Sequence, residues 1–242
     1  MNSIKKMMLS GALGCLISGM AYADGSSPQP VKPYWQDIQV VAVNKEKPRS
    51  SFMSYADRET ALTSRFEKSP YYSLLNGTWK FFFVDSYKDL PQNITDPSVN
   101  TSSWDDITVP GNWEVQGHGV AIYTNHGYEF KPRNPQPPLL PEANPVGVYR
   151  RDIEIPASWD NRDIYLHIGG AKSGLYVYLN GKEVGYSEDS KNPAEFLINK
   201  YLQPGKNVLT LKIFRWSTGS YLECQDFWRM SGIERDVFLW SQ

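Results

Sequence analysis

Gly174-Leu-Tyr-Val-Tyr-Leu179, then Asn180-Gly181, then Lys182-Glu-Val-Gly-Tyr186, is the stretch whose reading decides the fold. β-Branched and aromatic residues fill both runs, and such residues suit a pleated, half-buried surface. Asn-Gly between them tolerates positive φ at both positions, which is the requirement of a two-residue type I′ hairpin. The same texture recurs outward in both directions. Upstream lie Gly77-Thr-Trp-Lys-Phe-Phe-Phe-Val84, the alternating Gly147-Val-Tyr-Arg-Arg-Asp-Ile-Glu-Ile155 and Asp163-Ile-Tyr-Leu-His-Ile168; downstream lie Asn207-Val-Leu-Thr-Leu-Lys-Ile-Phe214 and Arg235-Asp-Val-Phe-Leu-Trp240. Many short strands separated by turn chemistry predict an all-β, antiparallel sandwich or jelly roll.

Between the strands, residues 111–145 hold Pro132, Pro135, Pro137, Pro138, Pro141 and Pro145 and no regular period. Loops of this length are usually functional or disordered. Trp113, Tyr123, Tyr128 and Phe130 inside it favour order, so an ordered loop packed on the sandwich is expected. Residues 35–75 read as a segment that wraps the sandwich, with helical turns around Asp57 to Phe66. Residues 91–106, crowded with Pro, Asn, Asp and Ser, read as loop.

The N-terminus reads as an address. Lys5-Lys6, the apolar run Met7 to Met20 and Ala21-Tyr22-Ala23 follow the order of a secretory signal peptide. The run is short of the roughly 20 apolar residues that a membrane helix needs, so no membrane span is expected. A periplasmic or secreted location is. Lipidation would use Cys15, which lies within the apolar run. The expected organisation is 1–23 signal peptide, 24–34 linker and 35–242 a single β-sandwich domain. Cleavage leaves Cys224 as the sole cysteine, so no disulfide framework is expected.

The charge balance, 25 basic against 26 acidic residues, gives no electrostatic reason to expect nucleic acid as a partner. His118, His126 and His167 lack metal-ligand spacing; His167, on a strand, reads as a packed imidazole. No glycine-rich phosphate loop opens a helix, and Cys224 has no evident activating base. The aromatic content, 14% of the chain, suits both a sandwich core and the C–H faces of sugars.

Chemistry concentrates in Trp216-Ser-Thr-Gly-Ser-Tyr-Leu-Glu-Cys-Gln-Asp-Phe-Trp-Arg-Met-Ser-Gly-Ile233. Glu223 and Asp226 within it, with Glu234 and Asp236 just after it, are the candidate carboxylates, and glycoside hydrolysis normally uses two carboxyl groups. Two readings stay open on physical grounds. One is a structural loop, with Arg229 or Arg235 pairing Asp236; the other is a loop that contacts sugar.

That block, together with Val109-Pro-Gly-Asn-Trp-Glu-Val-Gln-Gly-His118, Ile122-Tyr-Thr-Asn125 and Glu142-Ala-Asn-Pro-Val-Gly-Val-Tyr-Arg150, resembles the N-terminal sugar-binding domain of glycoside hydrolase family 2. The similarity runs from Trp35 to Trp240 and is strongest to the large bacterial β-galactosidases. It implies a galactose-binding-like jelly roll, followed in the family by immunoglobulin-like domains and a TIM barrel that bears two catalytic glutamates. No barrel motif occurs here, so this domain alone is expected to be inactive. By the resemblance, Asn125 and Asp226 are substrate-binding residues for a β-galactoside. Asp226 is also expected to ligate Na+ in a partial site completed by the barrel, and Mg2+ is implied only for the full-length enzyme. The chemistry agrees: an Asn amide both donates and accepts, and a carboxylate is a hard oxygen ligand. Cys224 departs from the family, where an acidic residue is common. A freestanding, non-catalytic carbohydrate-binding module is the alternative expectation.

Overall fold

The computed structural model describes residues 32–130 and 134–242. The expected signal peptide, Cys15 and most of the expected linker lie outside them. In chain order the strands are β1 Ala42–Val43, β2 Tyr72–Leu74, β3 Gly77–Val84, β4 Asp105–Val109, β5 Gly111–Asn112, β6 Ile122–Thr124, β7 Val146–Glu154 and β8 Ile164–Ile168. They continue with β9 Ala171–Lys172, β10 Gly174–Leu179, β11 Lys182–Ser187, β12 Ala194–Leu197, β13 Lys206–Phe214, β14 Phe227–Arg229, β15 Gly232–Ile233 and β16 Val237–Ser241. One short helix, α1 (Arg58–Leu62), is capped by the Asp57 side chain, which accepts from the Thr60 backbone N–H.

A seven-stranded antiparallel sheet, β1-β11-β10-β13-β7-β3-β4, faces a four-stranded antiparallel sheet, β12-β8-β16-β2. The hairpin forms as the sequence predicts, with Asn180 and Gly181 at φ 53° and 78° and Leu179 opposite Lys182. Trp79, Phe81, Tyr149, Leu175, Val177, Leu209 and Leu211 from the larger sheet meet Leu166, Ile168, Phe196, Val237 and Leu239 from the smaller one. That layer is the main core.

The period-2 alternation in β7 therefore has a meaning the sequence does not reveal. Tyr149 and Ile153 point into the main core, but Val146 and Val148 on the opposite face are equally buried. A second apolar layer covers them: Trp35 from the wrapping segment, and Ile94 and Trp104 from the loop before β4. Trp35 stacks on Phe214 with ring centroids 4.9 Å apart. Tyr34, expected to be linker, stacks on Tyr176 and so belongs with the domain. Arg150 is drawn inward with Val148 because the same loop turns its carbonyls on it. The guanidinium donates to Ile94 O at 2.7 Å and Val99 O at 3.2 Å, and burial lowers its pKa.

On the outer face of the smaller sheet, His167 is the packed imidazole the sequence suggests. It lies flat on Phe238 and its Nδ1 is 2.8 Å from Glu195 Oε1. The Glu195 carboxylate also takes two bonds from Arg49, at 2.7 and 2.9 Å, which fasten the wrapping segment to the sheet. At the far edge of the larger sheet, the Gln116 side chain bonds both backbone groups of Thr108. Its Oε1 accepts from the N–H at 2.8 Å and its Nε2 donates to the carbonyl at 3.1 Å.

Because Trp35 closes the second layer, Trp35→Ala is expected to cost about 3–5 kcal/mol of unfolding free energy. Urea denaturation checks this; an unchanged midpoint would show that the wrapping segment is dispensable.

Candidate functional site

In the described part of the proline-rich loop, Trp113, Tyr128 and Phe130 pack as expected, whereas Tyr123 is exposed. Tyr128 stacks on Phe130, and both meet Tyr221 edge-on. Trp113 fills the main core, which requires Gly147: a Cβ there would lie 2.6 Å from the indole ring. The Asn144 side chain then ties the loop's return to the exit of β13, accepting from Trp216 N–H and donating to Trp216 O at 3.0 and 2.8 Å.

Two segments far apart in sequence meet at this rim. β6 from the proline-rich loop pairs with β14 from the 216–233 block, with Thr124 opposite Phe227 and Tyr123 opposite Trp228. One further step along that antiparallel register sets Asn125 across from Asp226. The ribbon so formed brings both sequence-predicted residues to its end, exposed to solvent. Tyr123 OH donates to Asp226 Oδ1 at 2.7 Å, and that bond raises the phenol's pKa. Asn125 Oδ1 lies 2.8 Å from His126 Nδ1. Tyr123 and Trp228 present their rings side by side, 5.6 Å between centroids. Trp35, Trp79, Trp104, Trp113, Trp159, Trp216 and Trp240 are buried, and Trp228 alone is exposed, at 53%. It is the one tryptophan free to meet a ligand.

Beneath the ribbon lies a buried charge network that the sequence does not announce. Lys172 donates to Glu129 Oε1 at 2.6 Å, with both side chains at least 95% buried. Arg215 sits 3.5 Å from Glu129 Oε2 and 3.6 Å from Glu114 Oε1. It also donates to Val120 O and Arg229 O at 3.0 and 3.2 Å, holding the segment before β6 and the end of β14 together. The Glu114 carboxylate accepts from the Ser231 N–H, and its pKa is raised by desolvation. Glu188 accepts from Thr218 and Tyr186 hydroxyls at 2.6 and 2.8 Å and is likewise raised by burial. Arg229 and Arg235 are not the partners of Asp236, as one reading allowed. Asp236 accepts from Asn76 Nδ2 at 2.7 Å, and Arg229 turns inward to donate to Glu223 O. Cys224 is a free thiol that burial pushes up in pKa.

Asp226 offers a cation one carboxylate, already engaged on one oxygen by Tyr123. No group of three His, Cys, Asp or Glu comes together among the described residues. One carboxylate is too few ligands to make a cation shell by itself.

Sandwich and rim define an antiparallel two-sheet β-sandwich domain with Asn125, Asp226, Tyr123 and Trp228 exposed at one rim. Residues 72–242 match the family model described as "Glycosyl hydrolases family 2, sugar binding domain", and the chain belongs to that family. It is 41% identical over 212 residues to a protein named beta-galactosidase from Priestia megaterium, covering 86% of this chain and 20% of that one. A beta-galactosidase from Psychromonas ingrahamii is 38% identical over 208 residues, with the same coverage. The chain thus spans about a fifth of the length of the curated relatives it matches. Among solved structures, a Bacteroides uniformis beta-glucuronidase shares the fold at a TM-score of 0.53 and 24% identity, over 70% of this chain and 18% of that one. A Bifidobacterium dentium beta-glucuronidase does so at 0.51 and 18%, over 71% and 30%. No helix among the described residues is long and apolar enough to cross a membrane.

Two outcomes follow from the network. Removing Lys172 takes away the shorter of the two cation contacts of the buried Glu129 and leaves only Arg215 at 3.5 Å, so Lys172→Met should cost about 3 kcal/mol. Lys206→Met, which breaks the exposed pair with Asp152, should leave the urea midpoint where it was. The pH dependence has a definite sign. The Glu188 carboxyl is raised above its ordinary 4.5, so the fold binds its proton more tightly than the unfolded chain does. Its contribution is fully present below about 4.5 and is lost as pH rises through the raised value. Glu188→Gln should therefore gain stability relative to the wild type between pH 4 and pH 7. A difference between the two denaturation midpoints that does not move with pH would refute this.

Proposed function

We propose that this chain is the N-terminal sugar-binding part of an exported β-galactosidase that hydrolyses terminal β-D-galactosides with retention. In this reading the domain supplies galactose contacts and is inactive alone, while the catalytic glutamates stand on a barrel beyond these residues. The observation that carries the reading is the meeting of Asn125 and Asp226 at the end of one ribbon. It is supported by relatives named beta-galactosidase at about 40% identity. Ala21-Tyr22-Ala23 after an apolar run supports export to the periplasm or medium.

Each side chain suits its assigned part. The Asn125 amide can donate to one sugar hydroxyl and accept from its neighbour. Asp226, acceptor-only when ionised, can accept a hydrogen bond from a sugar hydroxyl on one oxygen while the Tyr123 hydroxyl donates to the other. The same carboxylate would hold one side of a Na+ ion, which would orient a sugar hydroxyl; the remaining ligands, and any Mg2+ site, would belong to the barrel. The exposed Trp228 and Tyr123 rings offer apolar faces beside these polar contacts.

In a polypeptide that includes the catalytic domain, Asn125→Ala and Asp226→Ala should each lower kcat/KM for a galactoside about 10- to 100-fold. Steady-state kinetics on lactose decides it: wild-type values in both variants would remove these residues from the site.

A further inference from the structure

One cation of the second apolar layer has no polar company. Successive side chains leave a strand on opposite faces, so the face of β13 turned to that layer carries Thr210, Lys212 and Phe214. Lys212 stands opposite Tyr176 of β10 and Val148 of β7, which with Phe214 belong to the layer. Its Nζ lies 4.8, 5.2 and 5.7 Å from the ring centroids of Tyr176, Tyr178 and Phe214. Arg150, on the same face of the sheet, is given Thr210 Oγ1 and two backbone carbonyls. Lys212, which is partly exposed, takes part in no ion pair and no hydrogen bond among the described residues.

That sets it apart. The other lysines among the described residues either hold a carboxylate, as Lys80 and Lys191 do, or are exposed, as Lys47 and Lys182 are. An ammonium group carries three donors; aromatic faces attract its charge but do not accept those donors as water or a carboxylate would. Burial draws the amine's pKa down, and among the described residues Glu183, opposite Tyr178 on β11, is the one charge that opposes it. The neighbouring phenols stay neutral. Burial raises Tyr176 and Tyr178, and Glu183 raises Tyr34, which stacks on Tyr176. A lysine desolvated against apolar groups is the form of that side chain that acts as a nucleophile. The rings offer an anionic adduct no donor, whereas an imine is neutral and presents an apolar face to them.

We propose that Lys212 is a modification site for small, uncharged aldehydes, seated among the Tyr176, Tyr178 and Phe214 rings. The lone pair of the neutral amine attacks the carbonyl carbon; a C–N bond forms and the carbonyl π pair passes to oxygen. The carbinolamine then loses that oxygen as water, together with both protons of the amine, and leaves a C=N bond. Nothing is oxidised or reduced. The site is separate from Asn125 and Asp226 and does not rest on the galactosidase reading.

The test treats the folded chain with a limiting amount of isotope-labelled formaldehyde and a borohydride reductant, which fixes each imine as a methylamine. Peptide mass spectrometry then reads the label. At about pH 7, Lys212 should be labelled about tenfold faster than Lys47 and Lys182, since each unit taken from a lysine's pKa raises its neutral fraction tenfold. The preference should vanish in urea. Glu183→Gln removes the opposing charge at an exposed position and should speed the labelling of Lys212 further, with the circular dichroism unchanged. After complete methylation, the Lys212 methyl signal in carbon magnetic resonance should titrate at a lower pH than the signals of the exposed lysines. Labelling of Lys212 no faster than that of Lys47 overturns the proposal, as does a preference that survives in urea. So does a Lys212 signal that titrates with or above the exposed lysines, or a folded Glu183→Gln variant labelled no faster than the wild type.

Discussion

Glu129 is buried where a carboxylate alone would be untenable, and Lys172 and Arg215 are the cations that make it tolerable. The rim of the molecule depends on that arrangement. Lys172 comes from the short strand after β8, Arg215 from the end of β13, and Glu129 from the proline-rich loop. Three parts of the chain that share no local preference are thereby required to meet at one point. Arg215 extends the constraint to the ribbon through Val120 O and Arg229 O. Asn125 and Asp226 owe their proximity to backbone pairing, and the pairing is anchored from below by these charges. Such a network specifies one arrangement more than it stabilises it, since an ion pair in the interior recovers at best most of what desolvation costs.

The sandwich itself was legible because its signals are local. The Asn180-Gly181 turn, the alternation in β7 and the run Gly77–Val84 each announce a strand without reference to anything distant. The shorter pieces were not. β12, Ala194–Leu197, is four residues without a period to detect, and β6 and β14, three residues each, exist only because each finds the other. Burial on both faces of β7 was hidden for a related reason. Strict alternation predicts one wet face, and Arg150 looks like a solvent residue until the 91–104 loop supplies carbonyls for its guanidinium.

The candidate site divides in the same way. Asn125 and Asp226 stand out through the resemblance of their motifs; their residue types alone do not distinguish a structural loop from a sugar-contacting one. Glu114, Glu129, Lys172 and Arg215 are not legible in the same way, because a charged residue in a sequence gives no sign that it will be buried. A signal did exist in retrospect. Charged residues flanking aromatic runs in a loop too long to be idle are candidates for a buried network, and Glu129 lies between Tyr128 and Phe130.

The amide of Gln116 has a consequence for the molecule in company. A sheet's outermost strand offers bare N–H and C=O groups to any passing strand, and this is how soluble proteins begin to stick edge to edge. On β4 the Thr108 pair is occupied by a side chain that imitates the backbone of a neighbour, and Asp105 and Asp106 lead the same strand with negative charge. Pro110, directly after it, has no N–H to give. A larger sheet with two apolar faces would be a dangerous surface if its margin were open. Here one glutamine occupies the outward backbone pair of Thr108 on the edge strand of the seven-stranded sheet, so a strand arriving at that point would first have to displace an amide.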